Sequence, residues 1–319
     1  MTEKNNIPYA HTDLALELKE ELCGQDKIPG IRVEERTFEE GNLRETVIYV
    51  ENDEGAGIIG KPPGVYITIE GENMGENDGG FHEKMSECLA QNLGKLLKGK
   101  RKILFAGLGN GRVTPDALGP LVIKNLFVTR HLWHMKEIDS YPEVSAIAPG
   151  VMAQTGMETG EILLGIIQKI HPDALVVIDA LAAKSSERLN RTVQIGNTGI
   201  IPGSGVRNHR HEISEKTMGI PVLAIGVPTV ISIPSLACDI MDSFCSSLKE
   251  EEKEDSFRFW NQTERYRFLS EILDRKLWDL FVTPKEIDES VKRISFTLSE
   301  GINHYISKCA GGNKIKGKA

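Results

Sequence analysis

Two aspartates, Asp116 and Asp179, stand at positions from which they could hydrolyse an amide bond. Each follows a short apolar run, at residues 103–106 and at residues 174–178, and such runs are typical of buried parallel strands. Ligands of open α/β sheets bind at the carboxyl ends of strands, so neighbouring strands would bring both carboxyl groups to one crevice. Such a pair shares a proton, because two close like charges do not easily ionise together. One acid and one base are the minimum equipment for splitting an amide with water.

The segments that must position these aspartates alternate between helix and strand. Apolar residues recur at helical spacing over residues 81–97, before the first strand, and over residues 158–170, before the second. Strand-like runs at residues 192–195 and 221–227 continue the series. This alternation predicts a three-layer α/β/α sandwich with a mostly parallel sheet. On spacing alone, Asp116 could equally cap a helix, and Asp179 could form a turn.

The ends of the chain carry weaker patterns. Residues 46–50 and 65–69 resemble two strands joined by a surface loop at residues 55–64. Residues 12–22 are helix-like but lack a clean apolar stripe, which predicts a segment peripheral to the core. From residue 242 onward the chain is charged and helical, with apolar residues at three- and four-residue steps, which predicts packing helices.

The composition excludes several classes of function. The chain has 319 residues, of which 40% are hydrophobic, and a formal net charge of −8. Nucleic-acid-binding proteins are basic, so we expect no direct nucleic-acid partner. No apolar run is long enough to span a membrane and the first residues lack the apolar part of a secretory signal, so we expect a cytoplasm-like compartment. Five cysteines without a Cys-x-x-Cys pair indicate reduced thiols.

No motif in the sequence indicates a cofactor. Residues 107–109 resemble the start of a dinucleotide loop, but Arg112 stands at the third glycine position, and no Walker motif occurs. Residues 202–205 lack the Gly-x-Ser-x-Gly frame of a nucleophile elbow. We therefore expect neither a cofactor nor a metal. His209 and His211 leave one alternative open, since imidazoles and carboxylates together can ligate zinc or nickel.

A series of motifs between about residue 11 and residue 242 makes the chain similar to the germination protease family of spore-forming Firmicutes. The motifs are Gly-Leu-Gly-Asn (107–110), Thr-Pro-Asp-Ala-Leu-Gly-Pro (114–120), Val-Thr-Arg-His (128–131), Ala-Pro-Gly-Val-Met (148–152), Thr-Gly-Met-Glu-Thr (155–159), Ile-Asp-Ala-Leu-Ala (178–182), Thr-Gly-Ile (198–200), Pro-Gly-Ser-Gly-Val (202–206) and Ala-Ile-Gly-Val-Pro-Thr-Val (224–230). Motifs of this length and order do not coincide by chance.

The resemblance implies an endopeptidase that cuts small acid-soluble spore proteins during germination, in the cytoplasm of the forespore and in the spore core. It implies an atypical aspartic protease whose two aspartates correspond to Asp116 and Asp179, the pair already indicated by the strand ends. It further implies a self-processing zymogen, a homotetramer and a fold similar to that of the hydrogenase-maturation proteases. The substrate-cleft candidates within and next to these motifs are Asn110, Thr114, Asn197, Thr198, Ser204 and His209.

The sequence departs from the family pattern at three positions. His11 replaces an arginine, Asn197 replaces an aspartate, and Arg207 replaces a glycine. Asn197 bears most directly on mechanism, because a neutral amide there leaves the two aspartates without a third acid to couple to.

The stretch that begins at His11 resembles both the processing site of the family and the acidic-then-apolar cleavage motif of its substrates. We expect cleavage between Asp13 and Leu14. Residues 1–13 would then be an inhibitory prosegment, and residues 14–319 a single protease domain with C-terminal packing helices. Acid should favour this cleavage, because lower pH keeps one carboxyl group of the pair protonated.

Two other functions stay open at the level of sequence. The first is a metal-dependent peptidase of the hydrogenase-maturation type, which would use the same strand ends together with His209 or His211. The second is a catalytically inactive α/β binding module. Dialysis against a chelator tests the first, and cleavage of any peptide by the purified chain excludes the second.

Overall fold

The computed structural model describes residues 12–20, 28–38, 42–72, 74–76, 78–135, 140–204, 211–247 and 262–311. The strands within these ranges are β1 Ile31–Phe38, β2 Leu43–Val50, β3 Gly64–Gly71, β4 Lys102–Gly107, β5 Glu143–Ile147, β6 Ala174–Ala183, β7 Thr192–Gly196, β8 Val222–Ser232 and β9 Phe281–Val282. The helices are α1 Ala15–Glu20, α2 Asp53–Ile59, α3 Gly79–Leu96, α4 Leu118–Lys124, α5 Arg130–His134, α6 Met152–Thr155, α7 Thr159–Ile170, α8 Glu215–Met218, α9 Ile233–Ser247, α10 Gln262–Ile272, α11 Arg275–Trp278 and α12 Ile287–Gly311.

These strands form one sheet in the order β1-β2-β3-β7-β8-β6-β4-β5, and β9 pairs with β8. Strands β5, β4, β6 and β8 are parallel neighbours. Strands β1, β2, β3 and β7 pair antiparallel, and β7 is also antiparallel to β8. The run at residues 192–195 is therefore a strand, as predicted, but it links the parallel part of the sheet to an antiparallel extension.

Both faces of the central strands are buried. On β6, Val176 and Ile178 pack in the core that α3, α4 and α12 cover, whereas Leu175 and Val177 pack in the core under α7 and α8. Side chains alternate between the faces of a strand, so a continuous apolar run fits a strand that is covered on both sides. The three-layer α/β/α sandwich is confirmed.

Helix ends follow from local capping. The side chain of Asp78 accepts a hydrogen bond from the amide of Phe81 at 3.1 Å at the start of α3. At the start of α7, Glu158 and Glu161 form a capping box. The helix ends at His171, which adopts a left-handed conformation.

Within the described residues, no helix is both long and apolar enough to cross a membrane.

Two predictions for the N-terminal part were wrong. The predicted loop at residues 55–64 contains most of α2, because the side chain of Asn52 caps a helix there by accepting from the amide of Gly55 at 3.0 Å. The stretch at residues 12–20 is not peripheral. Ala15 and Leu16 are at most 1% exposed, because α1 packs with α2, β2 and β3 in an apolar cluster of its own, and Leu14, directly before α1, is also fully buried.

Candidate active site

Asp116 is held by the turn that follows β4. The backbone of Gly109 has a φ of 103°, a conformation that favours glycine, and the amide of Asn110 donates to Asp116 Oδ2 at 2.7 Å. Asp116 ends a 3-10 turn that also contains Pro115, whose carbonyl accepts from Thr229 Oγ1 at 2.7 Å. Thr229 belongs to β8, so this hydrogen bond attaches the turn to the sheet.

Asp179 lies inside β6 and not at its end. Its side chain is 4% exposed, and its Oδ1 accepts from the amide of Ala180 at 3.0 Å. The prediction that the strand ends at Asp179 was wrong, because β8 continues to pair with β6 as far as Ala183, beyond the end of β4. Asp179 therefore follows the last β4 pairing by one residue and stays fixed by the β8 ladder.

The two aspartates belong to neighbouring strands that are joined at their carboxyl ends. The amide of Leu108, the residue after β4, donates to the carbonyl of Ile178 at 2.8 Å, and Ile178 directly precedes Asp179. The chain leaves β4 towards β5 on one side, whereas β6 neighbours β8 on the other, so the strand order reverses between β4 and β6. Ligands of open α/β sheets bind at such a reversal, and two carboxyl groups there suit general acid–base chemistry.

Asp13 is bound three residues further along β6 than Asp179. Its amide donates to the carbonyl of Ala182 at 3.3 Å, and its Oδ2 accepts from the amide of Ala182 at 3.0 Å. Ser204 Oγ donates to its Oδ1 at 2.6 Å. Lys61 Nζ and Gln194 Nε2 donate to its carbonyl oxygen at 3.1 and 2.9 Å. We call the four residues Lys61, Ala182, Gln194 and Ser204 the Asp13 pocket.

The helix that follows Asp13 is anchored through Glu17. Its carboxylate is 4% exposed and accepts from the amides of Lys184 and Ser185 at 2.9 Å each and from the hydroxyl of Thr12. Burial raises the pKa of Glu17, and these hydrogen bonds and the nearby Arg188 oppose the rise. The N-terminal segment is thus tied to the end of β6 by both polar and apolar contacts.

The predicted cleft residues fall into two groups. Asn110 and Thr114 belong to the turn that carries Asp116, and Asn110 Oδ1 also accepts from Gln154 Nε2 at 2.7 Å. Thr198 and Ser204 line a cavity of about 170 Å³ beside Asp13 instead. His209, together with His11 and Arg207, lies outside the described residues.

Asn197 contacts the sheet. Its Oδ1 accepts a hydrogen bond from the amide of Val65, the second residue of β3, at 2.8 Å. The same side chain lies against Gly64, where an added Cβ would come within 3.0 Å of it. In this arrangement Asn197 joins the end of β7 to β3, and an aspartate could accept the same hydrogen bond.

Sequence reasoning missed Lys61, Tyr66 and Gln194, which line the same cavity. Burial lowers the pKa of Lys61, and the negative charge of Asp13 opposes this shift. Burial raises the pKa of Tyr66 to about 12, although the hydroxyl of Thr198 donates to its oxygen at 3.0 Å. The one usable signal was Gln194, a polar residue between two buried apolar residues of a strand, which marks the face that binds a polar group.

The structure adds little to the metal alternative. Among the described residues, no group of three or more His, Cys, Asp or Glu side chains could hold a metal ion. His211 is exposed, and His209 lies outside the described part of the chain. Cys88, Cys238 and Cys309 are free thiols, as predicted.

Comparison with known proteins identifies relatives along most of the chain. A family model described as "Germination protease" matches residues 10–260. Germination proteases of Caldanaerobacter subterraneus subsp. tengcongensis and Clostridium perfringens are 42% and 43% identical over 302 and 305 residues. These alignments cover 92% of this chain and 92% and 93% of the relatives. The germination protease of Bacillus subtilis is 36% identical over 338 residues, and the alignment covers 92% of each chain.

Among solved structures, a NiFe hydrogenase maturation protease, HycI, from Thermococcus kodakarensis matches with a TM-score of 0.35 and 18% sequence identity. The match covers 66% of this chain and 98% of that one. The length and identity of the sequence matches decide the family: the chain belongs to the germination proteases.

Proposed function

We propose that the chain is a sequence-specific endopeptidase of atypical aspartic type that acts on small acid-soluble spore proteins and uses Asp116 and Asp179 as a dyad. One observation carries the proposal: Asp116, in the turn after β4, and Asp179, within β6, belong to neighbouring parallel strands at the point where the strand order reverses. Membership of the germination protease family supports a protein substrate and a spore context.

In the proposed reaction, one aspartate is ionised and takes a proton from water while the water oxygen attacks the scissile carbonyl carbon. The other aspartate is protonated and donates a hydrogen bond to the carbonyl oxygen. When the tetrahedral intermediate collapses, the carbon–nitrogen bond breaks and the nitrogen takes a proton from the dyad. The products are an acid and an amine, and no covalent bond to the protein forms.

The test of the dyad is a pair of isosteric substitutions, Asp116→Asn and Asp179→Asn. Each should lower kcat/KM at least about a hundredfold, because a positioned acid or base contributes 10²–10⁴-fold. Asp288→Asn, at an exposed position of α12, is the matched control and should keep full activity. If either dyad variant folds normally and keeps more than about a hundredth of the activity, the dyad is wrong.

We also propose that the chain is made as a zymogen and is cut between Asp13 and Leu14, so that residues 1–13 are the prosegment. The proposal is supported by Asp13, an acidic residue before an apolar one, which is bound beside the strand that carries Asp179. Ala182 lies three residue steps along the strand from Asp179, a distance of about 10 Å. The segment must therefore move along β6 before that bond can meet the dyad.

Mass spectrometry of the N-terminus, after incubation of the full chain at mildly acidic pH, tests this processing. Leu14 should become the first residue, and Asp13→Ala should slow the reaction far more than Lys4→Ala. An active enzyme that still begins at Met1 or Thr2 would rule out the prosegment.

We further propose a homotetramer, because large apolar side chains are exposed on two helices, α9 and α10, that contact each other. Ile240 and Phe244 on α9 are 62% and 56% exposed, and Ile272 on α10 is 59% exposed. Sedimentation equilibrium of the full chain should give four times the monomer mass. Ile240→Glu should reduce that mass if α9 lies in an interface.

Unchanged activity after dialysis against a chelator would exclude the metal-dependent alternative.

A further inference from the structure

All the polar groups of Asp13 are bound by the body of the protein. Its amide and one carboxylate oxygen pair with the two backbone groups of Ala182, as a neighbouring strand would. The second carboxylate oxygen accepts from the hydroxyl of Ser204, and the carbonyl accepts from Lys61 and Gln194. Five hydrogen bonds to a single residue describe a binding site for an aspartate and not a chance surface contact.

Gln194 holds the backbone of the segment on both sides of Leu14. Its Nε2 donates to the carbonyl of Asp13 at 2.9 Å, and its Oε1 accepts from the amide of Ala15 at 2.6 Å. A side-chain amide that uses both its donor and its acceptor in this way binds main-chain groups, which every peptide has. Gln194 therefore fixes the register of a bound peptide without selecting its side chains.

Lys61 and Ser204 provide the selection for charge. Lys61 is half-buried, and its ammonium group donates to the carbonyl oxygen of Asp13 at 3.1 Å, so a positive charge lies next to the carboxyl group of that residue and favours its ionised form. Ser204 and the amide of Ala182 both donate to the carboxylate, whereas an amide side chain would present an NH₂ group to one of these donors. Glu212 also lines the cavity and is exposed.

The cavity beside Asp13 continues towards the dyad. Its wall includes Leu181, which follows Asp179 by two residues on the same face of β6, and Gly226, which is the partner of Asp179 in β8. A peptide bound in the Asp13 pocket would therefore lie along the same strand that carries one of the proposed catalytic groups.

We propose that Lys61, Gln194 and Ser204, with the backbone of Ala182, form a subsite that binds an acidic residue of the peptide substrate. Asp13 occupies this subsite in the present chain, so the N-terminal segment and a substrate compete for it. The inference rests on the proposed endopeptidase function and adds to it the residues that recognise the acid.

The first experiment measures the subsite without catalysis. Hydrogen exchange of the full chain, followed by mass spectrometry, reports how firmly residues 12–20 are bound. Lys61→Met and Asp13→Asn should each speed exchange of this segment about tenfold or more. The first variant removes the hydrogen bond from the charged ammonium group to the carbonyl of Asp13, and the second places an NH₂ group against Ser204 or the amide of Ala182. Lys98→Met, at an exposed position after α3, is the matched control and should leave exchange unchanged.

The second experiment measures substrate choice with two peptides that differ only by aspartate or asparagine at the recognised position. Lys61→Met should raise KM for both peptides, because the carbonyl that it binds is common to them, and it should raise KM about tenfold more for the aspartate peptide, because the positive charge next to the carboxylate is lost. Ser204→Ala, which removes only one hydroxyl group, should reduce the preference in the same direction and covers the case in which Lys61→Met does not fold.

The two experiments separate the subsite from the function. Unchanged exchange in both Lys61→Met and Asp13→Asn, or an equal loss of activity for both peptides, would overturn the subsite. If the unsubstituted chain cleaves no peptide, the proposed function fails. In that case hydrogen exchange alone tests the subsite, and faster exchange in Lys61→Met still supports a site that binds an acidic residue.

Discussion

Gly119 in α4 is the point at which a single added methyl group should separate the two aspartates. A Cβ at this position would lie 2.5 Å from the carbonyl oxygen of Ile178 and 2.6 Å from the amide nitrogen of Leu108. Ordinary contact begins at 3.4 Å, so Gly119→Ala forces backbone to move by about 1 Å in a close-packed region. These backbone atoms form the hydrogen bond that joins the ends of β4 and β6.

The expected effect on activity is larger than the effect on stability. Overpacking of this kind lowers the free energy of unfolding by about 1–3 kcal/mol. A misplacement of about 1 Å at a catalytic group lowers kcat/KM about a hundredfold. Two assays on the same samples measure these quantities: peptide cleavage at saturating and limiting substrate concentrations, and urea denaturation.

Gly94→Ala is the control for Gly119→Ala. Gly94 lies in α3 with no atom within 4 Å of the added Cβ, so alanine there should stabilise the helix by about 0.5–1 kcal/mol and leave activity unchanged. If Gly119→Ala folds and keeps more than about a tenth of the activity, the junction of β4 and β6 does not position the dyad, and the reasoning from strand ends is refuted.

Three further predictions concern buried polar groups. Thr229→Val removes the hydrogen bond to Pro115 and should lower the free energy of unfolding by about 1 kcal/mol and reduce kcat, as denaturation and cleavage assays would report. Burial raises the pKa of Cys88 to about 12, so only about one thiol in ten thousand is ionised at pH 8. Cys88 should therefore resist alkylation in the folded chain and react once urea unfolds the chain. Burial also raises the pKa of Glu17 above 4.5, so its contribution to binding of residues 12–20 is complete below about pH 4.5 and is lost as the pH rises through the folded pKa. The protection factor of this segment, which is the hydrogen-exchange rate of the unfolded chain divided by that of the folded chain at the same pH, should therefore rise on acidification, and Glu17→Gln should flatten that dependence.

The strands that carry the proposed dyad could be predicted from sequence, whereas the Asp13 pocket could not. The runs before Asp116 and Asp179 are continuous and apolar because both faces of their strands are buried, and that pattern is local. The pocket instead combines Lys61, Gln194 and Ser204, which come from a loop, a strand and a turn far apart in the chain. No spacing rule relates such positions. The antiparallel pairing of β3 with β7 brings Lys61 and Gln194 together, and Ser204 reaches Asp13 from the chain that follows β7.

The end of β6 was misjudged for a related reason. A strand ends where its ladder ends, and the partner that extends β6 to Ala183 is β8, which lies some forty residues later in the chain. Burial of Ala15 and Leu16 was missed similarly, since a short apolar stretch becomes core only when β2 and β3 offer a face to cover.

The hydrogen bonds of Asp13 also have a consequence for biosynthesis. Its partners Ala182 and Ser204 lie 169 and 191 residues later in the chain. At translation rates of about 5–20 residues per second, Ser204 is made about 10–40 s after Asp13. During that interval Asp13 lacks the groups that bind it, so the N-terminal segment is free for other partners, such as chaperones, until Ser204 has been made.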